Sequence, residues 1–229
     1  MGLLSNKNTN GAEDLAFDFH FPTSKRALLI FTRNPELGRC KTRLAKVIGD
    51  ENALAVYTVL LKHTAAITRP VDADKFVYYS EKIHTNDIWD DAVFRKKLQR
   101  GDDLGARMEN AFTEIFASGY NEVVIIGSDM YDLRTPDLQN AFLQLEKHDV
   151  VIGPAEDGGY YLLGMKCLEQ KVFSNKNWGT NSVLKATLHD LKNDLVFKLP
   201  LRNDIDVYED LRDIEVFQPY LNQIINTTA

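Results

Sequence analysis

Residues 123–133 read VVIIGSDMYDL, and this stretch turns abruptly from hydrocarbon to carboxylate. Its first four residues are aliphatic, as expected of a strand that is buried on both faces of a sheet. Asp129 and Asp132 follow at the end of that strand. A carboxylate in such a place is unfavourable unless it is hydrogen-bonded or bound to a metal ion. The stretch therefore predicts either a metal-bound phosphate site or a turn that precedes a helix.

Strand-like and helix-like stretches alternate along most of the chain. The predicted strands cover residues 27–32, 75–80, 122–127, 149–154, 159–165 and 195–200. This order predicts a single-domain α/β fold, in which helices cover both faces of a mostly parallel central sheet. We expect residues 1–24 to form a loosely held polar arm and residues 25–229 to form the domain.

Composition excludes several classes of protein. The hydrophobic content of 44% and the charged content of 26% are ordinary for a soluble globular protein, and the net charge of −6 disfavours a nucleic-acid surface. The two cysteines, Cys40 and Cys167, show neither metal-binding spacing nor a disulfide framework. With no predicted membrane span or secretory signal, a cytoplasmic protein is expected. The sequence gives no indication of oligomeric state.

Basic residues concentrate in one loop of this acidic chain. The segment RNPELGRCKTRLAK, residues 33–46, follows the first predicted strand and contains Arg33, Arg39, Lys41, Arg43 and Lys46. In parallel sheets, ligands bind beyond the carboxyl ends of the strands, so this loop is placed to bind phosphate. A solvated basic loop is the alternative. The spacing differs from GxxxxGK[ST], which excludes a phosphate-loop NTPase.

Two further acidic segments follow predicted strands. In GPAEDGGYYLLG, Asp157 precedes Gly158 and Gly159, which suit a tight hairpin turn or a backbone opened to admit substrate. In LRNDIDVYEDL, Asp204 and Asp206 reach another strand end. Asp206 either caps a predicted closing helix at residues 207–217, or joins Asp129 in an oxygen site for Mg²⁺ or Mn²⁺.

A fifth motif lies between a short predicted strand and a helix. The segment LQRGDDLGARM contains Asp102 and Asp103, either of which suits the start of the helix as its N-cap. Asp103 is also a candidate contact to a bound nucleotide.

Five motifs together resemble a known family. FTRNPELGRCKTRLA, GDDLGARM, GSDMYDL, GPAEDGGYYLLG and DIDVYEDL occur in the same order as in a bacterial glycosyltransferase-like family formerly of unknown function, one branch of which is associated with arsenosugar biosynthesis. That family belongs to the nucleotide-diphospho-sugar transferase superfamily with the GT-A (Rossmann-like) fold. It is also similar to guanylyltransferases that activate phospholactate and molybdopterin. The resemblance covers residues 25–217.

The resemblance implies roles for individual residues. Asp129 matches the metal-binding aspartate of the family, and Asp206 matches its second carboxylate. Arg33, Lys41 and Arg43 match the phosphate-facing basic loop. Tyr131 stands where the family has proline, and the Gly-rich opening of nucleotidyltransferases is absent. This second departure favours glycosyl transfer over nucleotidyl transfer.

The predicted function is a transferase that depends on Mg²⁺ or Mn²⁺. It would take a nucleotide-diphospho-sugar as donor and pass the glycosyl group to a small acceptor, with Asp157 contacting the acceptor or serving as general base. One alternative is a nucleotidyltransferase that joins an NTP to a phosphorylated small molecule. Another is a non-catalytic nucleotide-binding module.

Overall fold

The strand predicted from VVII lies in the middle of a seven-stranded sheet in the computed structural model, which describes residues 22–221. The strands are β1 (Arg26–Thr32), β2 (Asp74–Tyr79), β3 (Phe94–Leu98), β4 (Glu122–Ile126), β5 (Val150–Pro154), β6 (Tyr160–Met165) and β7 (Val196–Lys198). The helices are α1 (Thr42–Ile48), α2 (Asp50–Thr68), α3 (Leu104–Ala117), α4 (Thr135–Leu145), α5 (Val183–Asp190) and α6 (Gln218–Leu221).

The order of the strands across the sheet is β3-β2-β1-β4-β6-β5-β7. β1 pairs in parallel with β2 and β4, β2 pairs in parallel with β3, and β5 pairs in parallel with β7. β6 is antiparallel to both of its neighbours, β4 and β5. All other strands therefore direct their carboxyl ends to one edge of the sheet. This arrangement confirms the predicted mostly parallel α/β fold.

Each face of the sheet has its own hydrophobic core. Successive side chains of β1 lie in different cores, because side chains along a strand point alternately to opposite faces of the sheet. Leu28 and Ile30 pack in one core, and Leu29 packs in the other. The first core contains buried residues of α1, α2 and α4, whereas the second contains buried residues of α3. Helices thus cover both faces, as predicted, and β4 is buried along residues 123–126.

The closing helix predicted at residues 207–217 is wrong. The chain instead forms two short 3₁₀ turns at Tyr208–Asp210 and Glu215–Phe217. The carboxylate of Asp210 accepts hydrogen bonds from the backbone N–H groups of Asp206 (2.9 Å) and Val207 (2.7 Å). This local side-chain bonding competes with helix formation and stabilises a turn.

Of the predicted arm at residues 1–24, residues 1–21 lie outside the described part of the chain. The arm, and a domain running from residue 25 to 229, therefore stay predictions. Within residues 22–221, no helix combines the length and the apolar character needed to cross a membrane.

The predicted hairpin turn after β5 is present and is fixed to the chain before α5. Gly158 has a left-handed backbone (φ +87°), and a Cβ built there would lie 2.4 Å from the carbonyl oxygen of Asn181. The carbonyl of Gly158 also accepts a hydrogen bond of 2.9 Å from the backbone N–H of Leu184. Only glycine allows both the conformation and this close approach.

We expect Gly158→Ala to lower the free energy of unfolding by at least about 2 kcal/mol, because backbone strain adds to a clash with backbone atoms. Gly179→Ala is the matched control. Gly179 also has positive φ (+78°), but no atom lies within 4 Å of a Cβ built there, so its loss should be about 1 kcal/mol. Urea denaturation of the two variants measures both values. Equal losses would contradict the close approach of Asn181.

Candidate functional site

A cleft of about 750 Å³ opens at the carboxyl edge of the sheet, beyond β1, β2 and β4. Its walls bring together predicted residues from four separate motifs, namely Arg33, Lys41, Arg43, Asp103, Asp129 and Asp206. Asp157 and Gly159 instead line an adjoining cavity that also touches Asp129. Gly158 serves the hairpin through its contact with Asn181. The predicted residues therefore divide between two neighbouring compartments that meet at Asp129.

Lys41 provides the positive charge next to Asp129. Its Nζ lies 3.1 Å from Oδ2 of Asp129, and its side chain is only 7% exposed, compared with 40% for Asp129. Burial alone would lower the pKa of Lys41, but the carboxylates of Asp129, Asp204 and Asp206 outweigh burial and raise the pKa above its ordinary value. The ammonium group therefore stays charged. It partly neutralises a cluster of aspartates at the end of β4.

Arg43 and Asp206 form a second ion pair on the rim of the cleft. The guanidinium NH1 lies 2.6 Å from Oδ2 of Asp206, and the two side chains are 68% and 32% exposed. An exposed ion pair contributes at most about 1 kcal/mol to the free energy of folding. Either side chain can therefore leave its partner and bind a ligand with little loss of free energy. The carboxylate of Asp206 does not act as the predicted cap, because the 3₁₀ turn is closed by Asp210.

A backbone hydrogen bond brings the Asp204–Asp206 segment to the end of β4. The N–H of Ile205 donates to the carbonyl oxygen of Asp129 at 3.1 Å, and the Ile205 side chain is buried. Residues 76 positions apart in the sequence are thereby fixed side by side. The two aspartates that flank Ile205 reach the same region as Asp129.

Hydroxyl groups fix the end of β4 against β1 and α2. The hydroxyl of Tyr57 lies 3.2 Å from both Thr32 Oγ1 and Ser128 Oγ, and it accepts a hydrogen bond of 2.9 Å from the N–H of Arg33. Thr32 and Ser128 are buried. This network holds the start of the basic loop next to the residue that precedes Asp129.

Asp103 and Asp157 both have a structural role in addition to their place at the site. Asp103 is the N-cap of α3, and its Oδ1 accepts a hydrogen bond of 2.8 Å from the N–H of Ala106. Oδ1 of Asp157 accepts one of 2.8 Å from the N–H of Gly159, which tightens the hairpin. The turn and cap interpretations of these two residues are therefore confirmed, and their functional roles stay predictions.

Two residues without a predicted role also lie at the site. Arg107 lines the cleft, where its guanidinium donates to the carbonyl of Gly101 (3.1 Å). Asp204 lines the adjoining cavity, and burial together with the charges of Asp129 and Asp157 raises its pKa to about 6, against an opposing effect of Lys41. The D-x-D spacing of Asp204 and Asp206 was visible in the sequence. The partial burial of Asp204 was not.

The carboxylates of the site suit a hard cation that takes one or two ligands from the protein and the others from water and substrate phosphate. Among residues 22–221, no three His, Cys, Asp or Glu side chains are close enough together to form a complete metal site. Asp129, Asp204 and Asp206 nevertheless concentrate negative charge, since all three contribute to the raised pKa of Lys41. Mg²⁺ typically binds one or two carboxylates and completes its shell with water and substrate phosphate. This donor set suits such an ion.

Solved structures support the fold and point to relatives. A protein from Desulfovibrio desulfuricans G20, which carries a provisional assignment as a nucleotide-diphospho-sugar transferase, is 29% identical, with a TM-score of 0.75 over 90% of this chain and 95% of that chain. A cytidylyltransferase from Leptospira borgpetersenii is 13% identical, with a TM-score of 0.58 over 89% and 95%. A Mycobacterium tuberculosis H37Rv protein in complex with manganese is 11% identical, with a TM-score of 0.51 over 82% and 97%. The last two show a shared fold alone.

A family model covers just over half of the chain. It is described as "Uncharacterized protein conserved in bacteria (DUF2064)" and matches residues 63–180. A search of curated proteins finds no match. The family match includes the GDDLGARM, GSDMYDL and GPAEDGGYYLLG motifs, which lie within residues 63–180. The chain therefore belongs to the DUF2064 family.

Proposed function

We propose that this chain is a metal-dependent glycosyltransferase that uses a nucleotide-diphospho-sugar as donor and a small molecule as acceptor. The arrangement of charge in the cleft is the observation that carries the proposal. In a chain of net charge −6, the cations Arg33, Lys41, Arg43 and Arg107 line one cleft together with Asp129 and Asp206. A diphosphate with its divalent ion requires cationic groups and carboxylates in just such proximity.

The cationic side chains would bind the diphosphate. Arg43 offers a planar fork that matches phosphate oxygens in a bidentate manner, and its present bond to Asp206 is exposed and exchangeable. Lys41 is held in place by burial, so it offers its charge without losing side-chain freedom on binding. Arg33 and Arg107 lie on the same walls and add to the positive potential. These contacts stabilise the negative charge that grows on the leaving diphosphate.

Asp129 and Asp206, which line the same cleft, are the residues that would hold the divalent ion. When bound, Mg²⁺ or Mn²⁺ would neutralise charge on the diphosphate as the glycosidic bond breaks. Asp157 lines the neighbouring cavity with Asp129, and we assign it to the acceptor side on that basis. Its carboxylate would contact the acceptor hydroxyl or take its proton. The D. desulfuricans relative, which shares 29% identity, adds support for a nucleotide-diphospho-sugar donor.

The nucleotidyltransferase alternative predicts a different product. Glycosyl transfer releases a nucleoside diphosphate, whereas nucleotidyl transfer from an NTP releases pyrophosphate. We expect the purified protein, supplied with Mn²⁺, nucleotide-sugars and a mixture of small alcohols, to release nucleoside diphosphate, measured by chromatography. Pyrophosphate release from an NTP with a phosphorylated acceptor would overturn the proposal. Nucleotide binding without metal dependence and without turnover would favour the non-catalytic module.

The role of Asp129 can be tested by Asp129→Asn, which keeps the shape and removes the charge. We expect the variant to fold, because an amide oxygen can still accept from Lys41, and to lose Mn²⁺-dependent nucleoside diphosphate binding by about tenfold or more. Asp132→Asn is the control, since Asp132 lies in the same stretch but pairs with Arg202 (2.9 Å). Calorimetric titration of nucleoside diphosphate, first with Mn²⁺ and then with chelator, measures the metal dependence of binding in both variants. Unchanged metal dependence in Asp129→Asn would remove Asp129 from the metal site.

The basic loop offers a matched pair of exposed cations on α1. Arg43 lines the cleft, whereas Lys46, which is also exposed, is not among the residues that line it. We expect Arg43→Ala to weaken nucleoside diphosphate binding about tenfold, since charge-assisted hydrogen bonds to phosphate are lost. Lys46→Ala should leave binding unchanged. Because both side chains are exposed, the melting temperature of either variant without ligand should differ little from that of the unmodified protein. If Arg43→Ala and Lys46→Ala weaken binding equally, Arg43 has no specific role.

A further inference from the structure

The two compartments that meet at Asp129 differ in charge. The cleft described above contains the cations of the site, whereas the second cavity, of about 270 Å³, has no Lys, Arg or His among the described residues that line it. Its charged lining residues are Asp129, Asp157 and Asp204. In the protein without a bound divalent ion, a phosphate group would therefore meet attraction in the cleft and repulsion in the cavity.

The walls of the second cavity are largely apolar. They come from β1, α3, β4, β6 and the segment before α5, with Phe31, Met108, Ile125, Leu162, Trp178 and Val183 as the main side chains. An apolar cavity of about 150 Å³ is enough to bind benzene, so this one has room for a ring with substituents. Pockets of this kind bind the apolar body of a ligand and use a few polar groups to orient it.

The aromatic wall is fixed by packing. The rings of Tyr160 and Trp178 meet edge to face with centroids 6.5 Å apart. Trp178 also lies against Gly105 of α3, where a Cβ would come within 2.5 Å of its Nε1. The side chains of this wall are thus held in position before any ligand binds, which lowers the entropic cost of binding.

The cavity and the cleft share four lining residues, Phe31, Leu104, Gly127 and Asp129. A ligand in the cavity would therefore lie directly next to a diphosphate bound in the cleft. We propose that the cavity is the acceptor subsite, and that the acceptor is an uncharged alcohol with a ring-sized apolar body and no phosphate group. This inference rests on the function proposed above and narrows its acceptor class.

The geometry assigns the following reaction to these groups. The acceptor hydroxyl oxygen forms a bond to the anomeric carbon of the donor sugar, and the bond from that carbon to the diphosphate oxygen breaks. The nucleoside diphosphate leaves with the electron pair, and the hydroxyl proton passes to the carboxylate of Asp157. Apart from the divalent ion proposed at Asp129, a phosphorylated acceptor, as nucleotidyl transfer would require, meets no Lys, Arg or His among the described residues that line this cavity.

Benzyl alcohol and benzyl phosphate are matched probes, since they share a ring and differ in charge. Calorimetry on the unmodified protein measures the affinity for each probe. The chain has two tryptophans, so replacing Trp89 by phenylalanine leaves Trp178 as the single tryptophan whose fluorescence reports on binding in the cavity. We expect benzyl alcohol to bind at least tenfold more tightly than benzyl phosphate. Comparable or tighter binding of the phosphate would overturn the proposal, as would tenfold tighter binding of benzylamine.

Three variants test whether the probes bind in this cavity. Val183 is buried in the cavity wall, so Val183→Phe should abolish benzyl alcohol binding and leave nucleoside diphosphate binding unchanged. Should this variant fail to fold in a thermal melt, Thr180→Trp at the exposed rim serves the same purpose. Thr180→Lys adds a cation at that rim and should improve benzyl phosphate binding about tenfold. Binding of benzyl alcohol that survives both blocking variants would overturn the assignment.

Competition separates failure of this inference from failure of the proposed function. A nucleoside diphosphate that binds with Mn²⁺ and leaves benzyl alcohol binding intact is the expected result. If the corresponding nucleotide-sugar, but not the nucleoside diphosphate, prevents benzyl alcohol binding, the cavity holds the donor sugar and the inference fails alone. If benzyl alcohol binds but no nucleotide binds with Mn²⁺, the donor site is absent, and the proposed function fails together with the acceptor role.

Discussion

Asp129 lies three residues after the end of β4, the central strand of the sheet, and its carboxylate needs a positive charge beside it. The chain supplies that charge from Lys41, whose buried ammonium lies 3.1 Å away, at a residue held in a left-handed backbone conformation (φ 49°). The carbonyl of Asp129 in turn accepts the N–H of Ile205 at 3.1 Å, which brings two more aspartates to the same place. The acidic cluster and its counter-charge are therefore organised around one residue.

The order of the strands decides what surrounds that residue. β4 lies between β1, which leads into the basic loop, and β6, which is antiparallel. Because β6 runs in the opposite direction, its amino end lies at the carboxyl edge of the other strands. The hairpin that carries Asp157 is thereby placed at the same edge as the basic loop. One reversed strand gives the site one side lined by Lys and Arg and another side that, within residues 22–221, is lined by neither.

The features that could be predicted from the sequence are local ones. Buried strands and the basic loop are visible as apolar runs and clustered charge, and the carboxyl-edge rule then brings Asp129, Lys41 and Asp206 into one cleft. The helix predicted after Asp206 fails because Asp210 bonds the backbone of its own turn. The partial burial of Asp204 and the apolar cavity depend on contacts between distant segments, which periodicity does not encode.

The segment from Trp178 to Val183 forms a wall of the apolar cavity and does not line the basic cleft. It is joined to the hairpin by the close approach of Gly158 and Asn181, which fixes its backbone, and Trp178, Thr180 and Val183 line the cavity. Selection or protein engineering can therefore replace side chains on this wall without altering the cations and carboxylates that line the basic cleft. Members of the family can in this way keep the same basic cleft and differ in the molecules that the apolar cavity admits.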